Sequence, residues 1–181
     1  MTRPVEATVE SAQADDFRSL MSGFPTGVVV VTTFDLEGRP RGMTCSSLCS
    51  VALDPPTLLV CMRQGSATLR ALEQRGSFAV NLLHGGGRPV AELFASGSPD
   101  RFDRVLWQAG LAAAGPHLPD AARTVADCEV TGTKAVGDHT VVFGEVLEVT
   151  THQAAAAPLM YGLRRYSTWP QGIPTDSDSP R

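Results

Sequence analysis

The sequence predicts a mainly β protein, an antiparallel barrel with short helical insertions. Many short runs of β-branched and aromatic residues are separated by turn residues, as in all-β barrels and sandwiches. A few stretches of helical period lie between these runs, but long helices do not alternate regularly with strands. That irregular order disfavours a doubly wound parallel sheet and leaves the antiparallel barrel as the prediction.

The N-terminal half of the chain contains two predicted short helices and four predicted strands. Asp15 or Asp16 can cap the first helix, which ends at Gly23. Ser66 caps the second helix, which ends at Gly76. The first two strands form a hairpin, and the four strands cover residues 28–34, 41–53, 57–62 and 77–83.

The C-terminal half contains two further predicted helices and a group of longer strands. A short helix is predicted in each of the segments 85–96 and 99–110. In the strand that begins at His139, Glu145 and Glu148 break the strict alternation, which predicts a bulge or bend at Gly144. The later strands cover residues 124–136, 139–150 and 158–169.

Composition and charge limit the class of protein. With 181 residues, 43% of them hydrophobic, one globular domain is expected over residues 15–169. Residues 1–14 are expected to form a flexible N-terminal tail, and residues 170–181 a disordered C-terminal tail. A net charge of −4 without a Lys/Arg cluster argues against nucleic-acid binding. No membrane-spanning run or signal peptide is recognised, so a cytoplasmic protein is the default expectation.

The cysteines do not predict a disulfide or zinc framework. Cys45 and Cys49 are four residues apart in one predicted strand, roughly 13 Å along it, whereas a disulfide allows a Cα separation of about 7 Å. No CxxC or HxxxH spacing occurs, so no metal site is expected. All four cysteines, the other two being Cys61 and Cys128, are predicted to be small, buried and reduced.

The segment 42–50 carries hydroxyl groups where a core strand would carry bulky side chains. Two interpretations of these residues remain open. The first is a hydroxyl-rich strand edge that binds nothing. The second is a close approach of the backbone to a flat ligand, whose polar edge the hydroxyls and amides would satisfy. The hydroxyl residues are Thr44, Ser46, Ser47 and Ser50.

A second candidate site is the start of the helix that Ser66 caps. The free amides and the dipole of a first helical turn attract anions, and here Ser66, Thr68 and the nearby Arg63 could assist them. Ordinary capping without a ligand is the alternative, because most serine caps bind nothing. No GxGxxG, Walker A or GxSxG pattern occurs, so the common nucleotide and hydrolase signatures are missing.

A third candidate is His139, which follows a Gly137-Asp138 turn directly. The ordinary interpretation is that the two preceding residues make the turn and the histidine occupies the wet end of a strand. The functional interpretation is that the histidine lies at the rim of a site, where a neutral imidazole can donate to a ligand. Local spacing alone does not decide between the two.

Five segments occur in an order that is typical of one known family. They are FPTGVVVVTT, GMTCSSLCSVALDPPTLLVCM, SATLRAL, FAVNLL and GDHTVVFGEV. Through them the chain, over residues 15–168, resembles the flavin reductase-like family of FMN-binding split-barrel proteins. That family includes the reductase components of two-component flavin-dependent monooxygenases. The resemblance implies a split-barrel homodimer that binds FMN or FAD near the subunit interface and reduces it with NADH or NADPH.

The resemblance also implies roles for individual residues. The segment from Thr44 to Ser47 would line the isoalloxazine ring, and Ser66 and Thr68 would bind the phosphate. His139 would be the catalytic residue, in the sense of a positioning group where flavin and nicotinamide meet. The chain departs from the family at Arg164, where a Tyr-x-x-Gly-x-Tyr pattern often has glycine. The cofactor-binding residues are Pro25, Thr26, Thr44, Cys45, Ser46, Ser47, Ser50, Arg63, Ser66, Thr68, Asn81 and Tyr166.

The resemblance therefore predicts an NAD(P)H:flavin oxidoreductase. Such an enzyme transfers hydride to FMN or FAD and supplies reduced flavin to a partner monooxygenase. Two alternatives stay open: a flavin-dependent reductase or oxidase of a small organic substrate, and a non-catalytic module that binds flavin or haem. The motifs do not specify the preferred flavin, the preferred nicotinamide cofactor or the partner.

Overall fold

A computed structural model describes residues 13–169 of the chain. None of the helices in this range has the length and apolar character that a membrane crossing requires. The predicted C-terminal tail, residues 170–181, lies outside the described residues. The predicted N-terminal tail, residues 1–14, also lies outside them, except for its last two residues. The helices are α1 (Ala14–Ser22), α2 (Ala67–Arg75) and α3 (Arg88–Ala95). The strands are β1 (Thr26–Gly27), β2 (Val29–Phe34), β3 (Pro40–Cys45), β4 (Cys49–Leu53), β5 (Pro56–Arg63), β6 (Ser77–Leu83), β7 (Gln108–Ala109), β8 (Pro116–His117), β9 (Ala122–Val136), β10 (His139–Thr151), β11 (Leu159–Gly162) and β12 (Arg165–Thr168).

Seven strands form one antiparallel sheet in the order β3-β2-β6-β9-β10-β5-β4. Strand β3 lies at one edge of this order, and β5 lies next to the other edge. Nevertheless, the side chain of Ser47, just beyond β3, hydrogen-bonds the backbone of Cys61 in β5. The sheet must therefore curl round until its two edges approach each other. The result is a mainly β split barrel with short helical insertions, as the sequence predicts.

The interior of the barrel is filled by apolar side chains from the sheet and from α2. The β-branched run of β2 is buried along nearly its whole length, as its two apolar faces predict. Helix α2 covers this core with Leu69 and Leu72. Ser66 caps that helix by accepting a hydrogen bond from the amide of Leu69, and Gly76 ends it in the left-handed conformation. Both predicted ends of α2 are therefore confirmed.

A second apolar cluster lies outside the barrel, against α3. It contains Val30, Phe94 and Phe102, each at most 8% exposed. A small antiparallel sheet of β1, β11 and β12 joins this cluster through the buried Leu159. The C-terminal hairpin of β11 and β12 is thereby held beside α3, and Tyr166 of that hairpin packs against the same cluster.

Gly144 lies in β10 directly against the ring of Phe78. The register between β9 and β10 shifts between Phe143 and Gly144, where β9 contains an extra residue. A Cβ atom on Gly144 would come within 2.5 Å of the Phe78 ring, so the close approach of that ring requires glycine. The bulge predicted at Gly144 is therefore misplaced: the extra residue of β10 lies between Val146 and Glu148, and that second register shift explains the three-residue spacing of Glu145 and Glu148.

The single strand predicted over residues 41–53 is wrong. Strand β3 ends at Cys45 and pairs with β2, whereas β4 begins at Cys49 and pairs with β5. The chain therefore passes from one edge of the curled sheet to the other within three residues. Hydroxyl-bearing residues are tolerated both in strands and in loops, so local propensity does not reveal this break. The curl of the whole sheet produces it.

The predicted cap of α1 also needs correction. The helix begins at Ala14, and Gln13 occupies the N-cap position without a side-chain capping hydrogen bond. Asp15 and Asp16 lie inside the first turn instead, where the helix dipole favours acidic side chains. The predicted end of the helix at Gly23 is confirmed.

Two further expectations are overturned by burial. The segment 99–110 forms turns followed by β7, because Phe102 is drawn into the second cluster, where its ring meets that of Phe94 at a centroid distance of 5.0 Å.

The cysteines are all free, but they are not all buried. Cys49 is exposed and Cys61 is half-buried, because both lie on strands near the split in the barrel.

Candidate active site

The break between β3 and β4 lies at the centre of three adjoining clefts. We call residues 44–47 the floor, because members of this segment line all three clefts. Within residues 13–169, the peptide groups of Ser46, Ser47 and Leu48 make no backbone–backbone hydrogen bond. A flat polar ligand lying on the floor could therefore use these groups. This is the close backbone approach that the sequence left as one of two interpretations.

The hydroxyl group of Ser47 explains how the floor stays ordered without sheet pairing. It accepts a hydrogen bond from the Cys61 amide at 2.9 Å and donates one to the Cys61 carbonyl at 3.0 Å. In an antiparallel ladder, a backbone residue of the neighbouring strand would satisfy both groups. The thiol of Cys45 lies 2.9 Å from the same hydroxyl. The side chain of Ser47 thus substitutes for a strand and fixes the backbone around it.

The histidine cleft, of about 240 Å³, lies on one side of the floor. Arg63 at the end of β5 is the ladder partner of His139 at the start of β10, so their side chains leave the same face of the sheet. His139 Nδ1 lies 2.8 Å from the carboxylate of Asp138, and the imidazole is 46% exposed. This hydrogen bond lowers the pKa of Asp138 below its usual value. The cleft is lined by Met43, the floor, Cys61, Arg63 and His139.

The arginine cleft, of about 560 Å³, lies on another side of the floor. Helix α3 contributes Arg88 and Glu92, which form an ion pair at 2.8 Å. The guanidinium of Arg88 also lies over the Tyr166 ring, 5.5 Å from its centroid. Burial and the nearby carboxylate of Glu92 raise the pKa of Tyr166. The cleft is lined by Val28, Thr44, Cys45, Ser46, Arg88, Glu92, Ala95, Tyr161, Arg164, Arg165 and Tyr166.

The third cleft, of about 690 Å³, is more apolar and lies between α1 and the floor. Phe17, Met21 and Phe24 contribute exposed apolar side chains to it. Thr26 lines the same cleft and pairs with Tyr161 in the small sheet. Pro25 is exposed and packs against Gly162 of that sheet. The loop before β2, which the resemblance implies as a contributor, therefore lies at the border of this third cleft.

The remaining expected residues lie away from these clefts. Ser50 is exposed on β4, opposite Leu58. Ser66 is half-buried at the start of α2, joined to the histidine cleft by a hydrogen bond from its amide to the Arg63 carbonyl. Thr68 is only 3% exposed. The structure thus brings Arg63 and Ser66 near each other but turns Thr68 towards the interior.

Asn81 is fully buried, and its side chain is saturated by internal hydrogen bonds. Its amide group donates to the carbonyls of Val30 and Pro116 and to the hydroxyl of Thr32. Its carbonyl oxygen accepts from the amide of Leu118. These contacts join β2 and β6 to the segment that contains β8. Asn81 is therefore placed to hold the core together and lies apart from all three clefts.

Sequence reasoning missed two charged residues of the arginine cleft on α3, Arg88 and Glu92. They are more than sixty positions from the C-terminal hairpin that completes the cleft, so no local spacing links the two. One signal was present in the sequence. The consecutive Arg164 and Arg165 interrupt the Tyr-x-x-Gly-x-Tyr pattern and mark that hairpin as unusually basic.

Comparison with protein families identifies the class to which this architecture belongs. Residues 21–170 match the model of the flavin reductase like domain. The chain belongs to the flavin reductase-like family. It is 49% identical over 160 residues to the flavin reductase (NADPH) of Lentzea aerocolonigenes, an alignment that covers 88% of this chain and 92% of the relative.

Solved structures of the flavin reductase-like family share the fold. The NADH:FAD oxidoreductase SgcE6 of Streptomyces globisporus C-1027, in complex with NAD and FAD fragments, has a TM-score of 0.81 and 32% identity. The alignment covers 94% of this chain and all of that one. BorF, the flavin reductase component of a bacterial two-component tryptophan halogenase, has a TM-score of 0.78 and 30% identity, with 88% and 100% of the chains covered.

The chemistry of the donor set fits a flavin. An isoalloxazine ring has a flat apolar body and a polar pyrimidine edge, and the floor offers small side chains, free peptide groups and serine hydroxyls. A flavin phosphate needs cationic or amide donors, and Arg63 lies directly beside the floor. No side chain of the floor is bulky enough to cover the backbone.

Proposed function

We propose that the protein transfers hydride from NAD(P)H to FMN or FAD on the floor formed by residues 44–47. The enzyme is an NAD(P)H-dependent flavin reductase, an oxidoreductase, in keeping with its family. The observation that supports the location is the set of unpaired peptide groups of Ser46, Ser47 and Leu48, anchored by the hydrogen bonds between the Ser47 side chain and Cys61. The histidine cleft and the arginine cleft, which both adjoin the floor, offer space for the rest of both reactants.

Bound flavin supplies an electron-deficient ring that accepts hydride from the nicotinamide. The protein needs no acid or base for hydride transfer itself, so its residues act by binding and orienting. The floor would hold the flat ring against the backbone, and its peptide groups would meet the polar edge. The walls of the clefts would limit the access of water to the stacked reactants.

His139 would position the nicotinamide beside the floor. Its Nδ1 is engaged by Asp138, which leaves Nε2 as the ring nitrogen without a protein partner among the described residues. A hydrogen bond between Asp138 and Nδ1 restricts the rotation of the imidazole, as carboxylates do for many functional histidines. Nε2 is then the atom available for a carboxamide or for the pyrimidine edge of the flavin.

The phosphate of the flavin would bind at the start of α2. The free amides of the first turn and the helix dipole attract anions. Arg63, three residues before Ser66 in the chain, lines the histidine cleft and adds a positive charge. The half-buried Ser66 hydroxyl already accepts from the Leu69 amide, so it would donate its proton to a phosphate oxygen. Thr68 would contribute through its backbone amide, because its side chain is buried.

The protein would act as a cytoplasmic homodimer that supplies reduced flavin to a monooxygenase component. The exposed apolar side chains of α1 and the neighbouring Phe24 offer a surface for a second copy. BorF, a neighbour in fold, is itself the reductase component of a two-component halogenase. Sedimentation at micromolar concentration tests the assembly: a species of only 19.2 kDa, the mass of one chain, would exclude the dimer.

Aerobic oxidation of NADH and NADPH, with and without added FMN, FAD or riboflavin, tests the function. Stimulation by free flavin is the expected result. Activity only with a small organic acceptor would indicate a flavin-dependent reductase or oxidase of that compound instead. A bound chromophore without turnover would indicate a binding module, and either of these outcomes would overturn the proposal.

A further inference from the structure

The arginine cleft contains more positive charge than its own carboxylate can neutralise. Arg88, Arg164 and Arg165 line it, and Glu92 is the only carboxylate among its lining residues. Glu92 is paired with Arg88 at 2.8 Å. Within residues 13–169, neither Arg164 nor Arg165 forms an ion pair. An excess of two guanidinium groups beside a concave polar surface is the composition of an anion site.

The position of Arg164 points to a ligand, because its backbone conformation favours a different residue. Leu163 and Arg164 form the two-residue turn between β11 and β12, with φ values of 49° and 58°. Such turns favour glycine or asparagine, since other side chains are strained in the left-handed region. The chain nevertheless has an arginine where the family pattern often has glycine. The strained residue is also one that lines the cleft.

The anion that this cleft would bind is not the phosphate of the flavin. The start of α2 and Arg63 provide the proposed site for that phosphate, on the histidine side of the floor. The arginine cleft adjoins the same segment and is lined in addition by α3 and the C-terminal hairpin. A reactant that stacks on the flavin at the floor would extend into the arginine cleft. In the proposed reaction that reactant is the nicotinamide dinucleotide.

We propose that Arg164, assisted by Arg165 and Arg88, binds the 2′-phosphate of NADPH and makes the enzyme prefer NADPH over NADH. This inference rests on the proposed function. A phosphate monoester carries close to two negative charges at neutral pH and three acceptor oxygens, which suit the planar fork of donors on arginine. NADH has a hydroxyl group in that place and would leave the guanidinium groups without a charged partner.

Binding of 2′,5′-ADP and of 5′-ADP, measured by calorimetry on the full chain, tests the proposal without turnover. Wild-type protein should bind 2′,5′-ADP at least about tenfold more tightly, since hydrogen bonds between charged groups are the strong ones. Arg164→Gly removes the charge and suits the left-handed conformation, so it should bring the ratio of affinities close to one. Leu163→Gly changes the same turn without changing charge and should keep the wild-type ratio.

Steady-state kinetics with both dinucleotides gives a second measurement. The ratio of kcat/KM for NADPH to that for NADH should exceed one in wild-type protein and fall in Arg164→Gly, but not in Leu163→Gly. Equal affinity of wild-type protein for the two ADP compounds would overturn the proposal. So would an unchanged ratio in both Arg164→Gly and the double variant Arg164→Gly/Arg165→Gln, which removes both unpaired charges.

The source of the bound phosphate is tested separately with FMN and riboflavin. If Arg164→Gly weakens FMN relative to riboflavin and leaves the ADP ratio unchanged, the cleft binds the phosphate of the flavin, and the inference is wrong. Failure of the proposed function looks different from failure of the inference. A protein without flavin-stimulated oxidation of either dinucleotide refutes the function, whereas flavin reduction without preference for the 2′-phosphate refutes only the inference.

Discussion

The histidine cleft and the arginine cleft share one floor but differ in how they are built. Arg63 and His139 are ladder partners in the seven-stranded sheet, so the histidine cleft is part of the barrel itself. Arg164 and Arg165 lie on a hairpin of a separate small sheet, and Arg88 lies on α3. Under the proposed function, the groups close to the reacting atoms would lie on the barrel. The groups proposed to select the reactant would lie on attached elements, where substitution disturbs the core least.

The largest expected effect on catalysis comes from a substitution in the histidine cleft. His139→Ala should lower kcat/KM for NAD(P)H by about tenfold to a hundredfold, since each decade corresponds to ~1.4 kcal/mol of lost positioning contacts. The half-exposed side chain supports little packing, so the thermal unfolding midpoint should stay close to that of wild type. Unchanged kinetics in a folded variant that still binds flavin would return His139 to the role of a turn residue and remove the contrast between the clefts.

A substitution in the shared floor should lower the free energy of unfolding and weaken the binding of FMN and riboflavin to a similar extent. Ser47→Ala leaves the amide of Cys61 without its partner, which should cost about 1–3 kcal/mol in the free energy of unfolding, measured by denaturant titration. FMN and riboflavin should weaken by similar factors, because both present the same ring to the floor. Ser46→Ala is the matched control: its side chain is exposed, so stability should change by less than about 0.5 kcal/mol. Equal stability of the two variants would contradict the support role of Ser47.

The start of α2 should discriminate between the flavins. Ser66→Gly should weaken FMN by about tenfold or more, because a hydrogen bond to a charged group is worth about 1.5–3 kcal/mol. Glycine replaces serine at an N-cap at a cost of only a few tenths of a kcal/mol, so the helix itself should persist. Riboflavin, which lacks the phosphate, serves as the internal control in the same fluorescence titration. Equal weakening of both flavins would show that the phosphate binds elsewhere.

The smallest expected effect is a change in ligand affinity caused by a substitution in the arginine cleft. Glu92→Gln removes the carboxylate that engages Arg88, so affinity for 2′,5′-ADP should rise by up to about fivefold, the range of an exposed ion pair. Glu73→Gln removes the same charge from the exposed surface of α2, outside the clefts, and should change that affinity much less. A similar rise in both variants would mean that only the net charge of the protein matters.

Local elements were predictable from the sequence because their signals are local. The N-cap Ser66 and the end of α2 at Gly76 each follow from one or two neighbouring residues. The break between Cys45 and Cys49 was not predictable in this way. It arises from the curl of the whole sheet, to which residues far apart in the chain contribute.

The same distinction applies to the candidate site. The hydroxyl-rich segment and His139 were recognisable from motif positions, and the structure places both beside the clefts. Arg88 was not recognisable from the sequence, since only the packing of α3 against the C-terminal hairpin brings this residue to the floor. Asn81 shows the opposite case, because a residue implied by the resemblance has all its side-chain atoms occupied within the core. A motif position alone does not tell whether a polar side chain faces a ligand or the interior.

The substitution of a strand by the side chain of Ser47 has a consequence for the entropy of binding. Fixing the backbone of one residue costs about 1–2 kcal/mol, so ordering the three residues after Cys45 costs roughly 3–6 kcal/mol. In this protein the hydrogen bonds between Ser47 and Cys61 offset part of that cost within the folded chain itself. A flavin that enters and leaves at each turnover would then exchange with a surface that is already shaped, and its release would not require the floor to lose order.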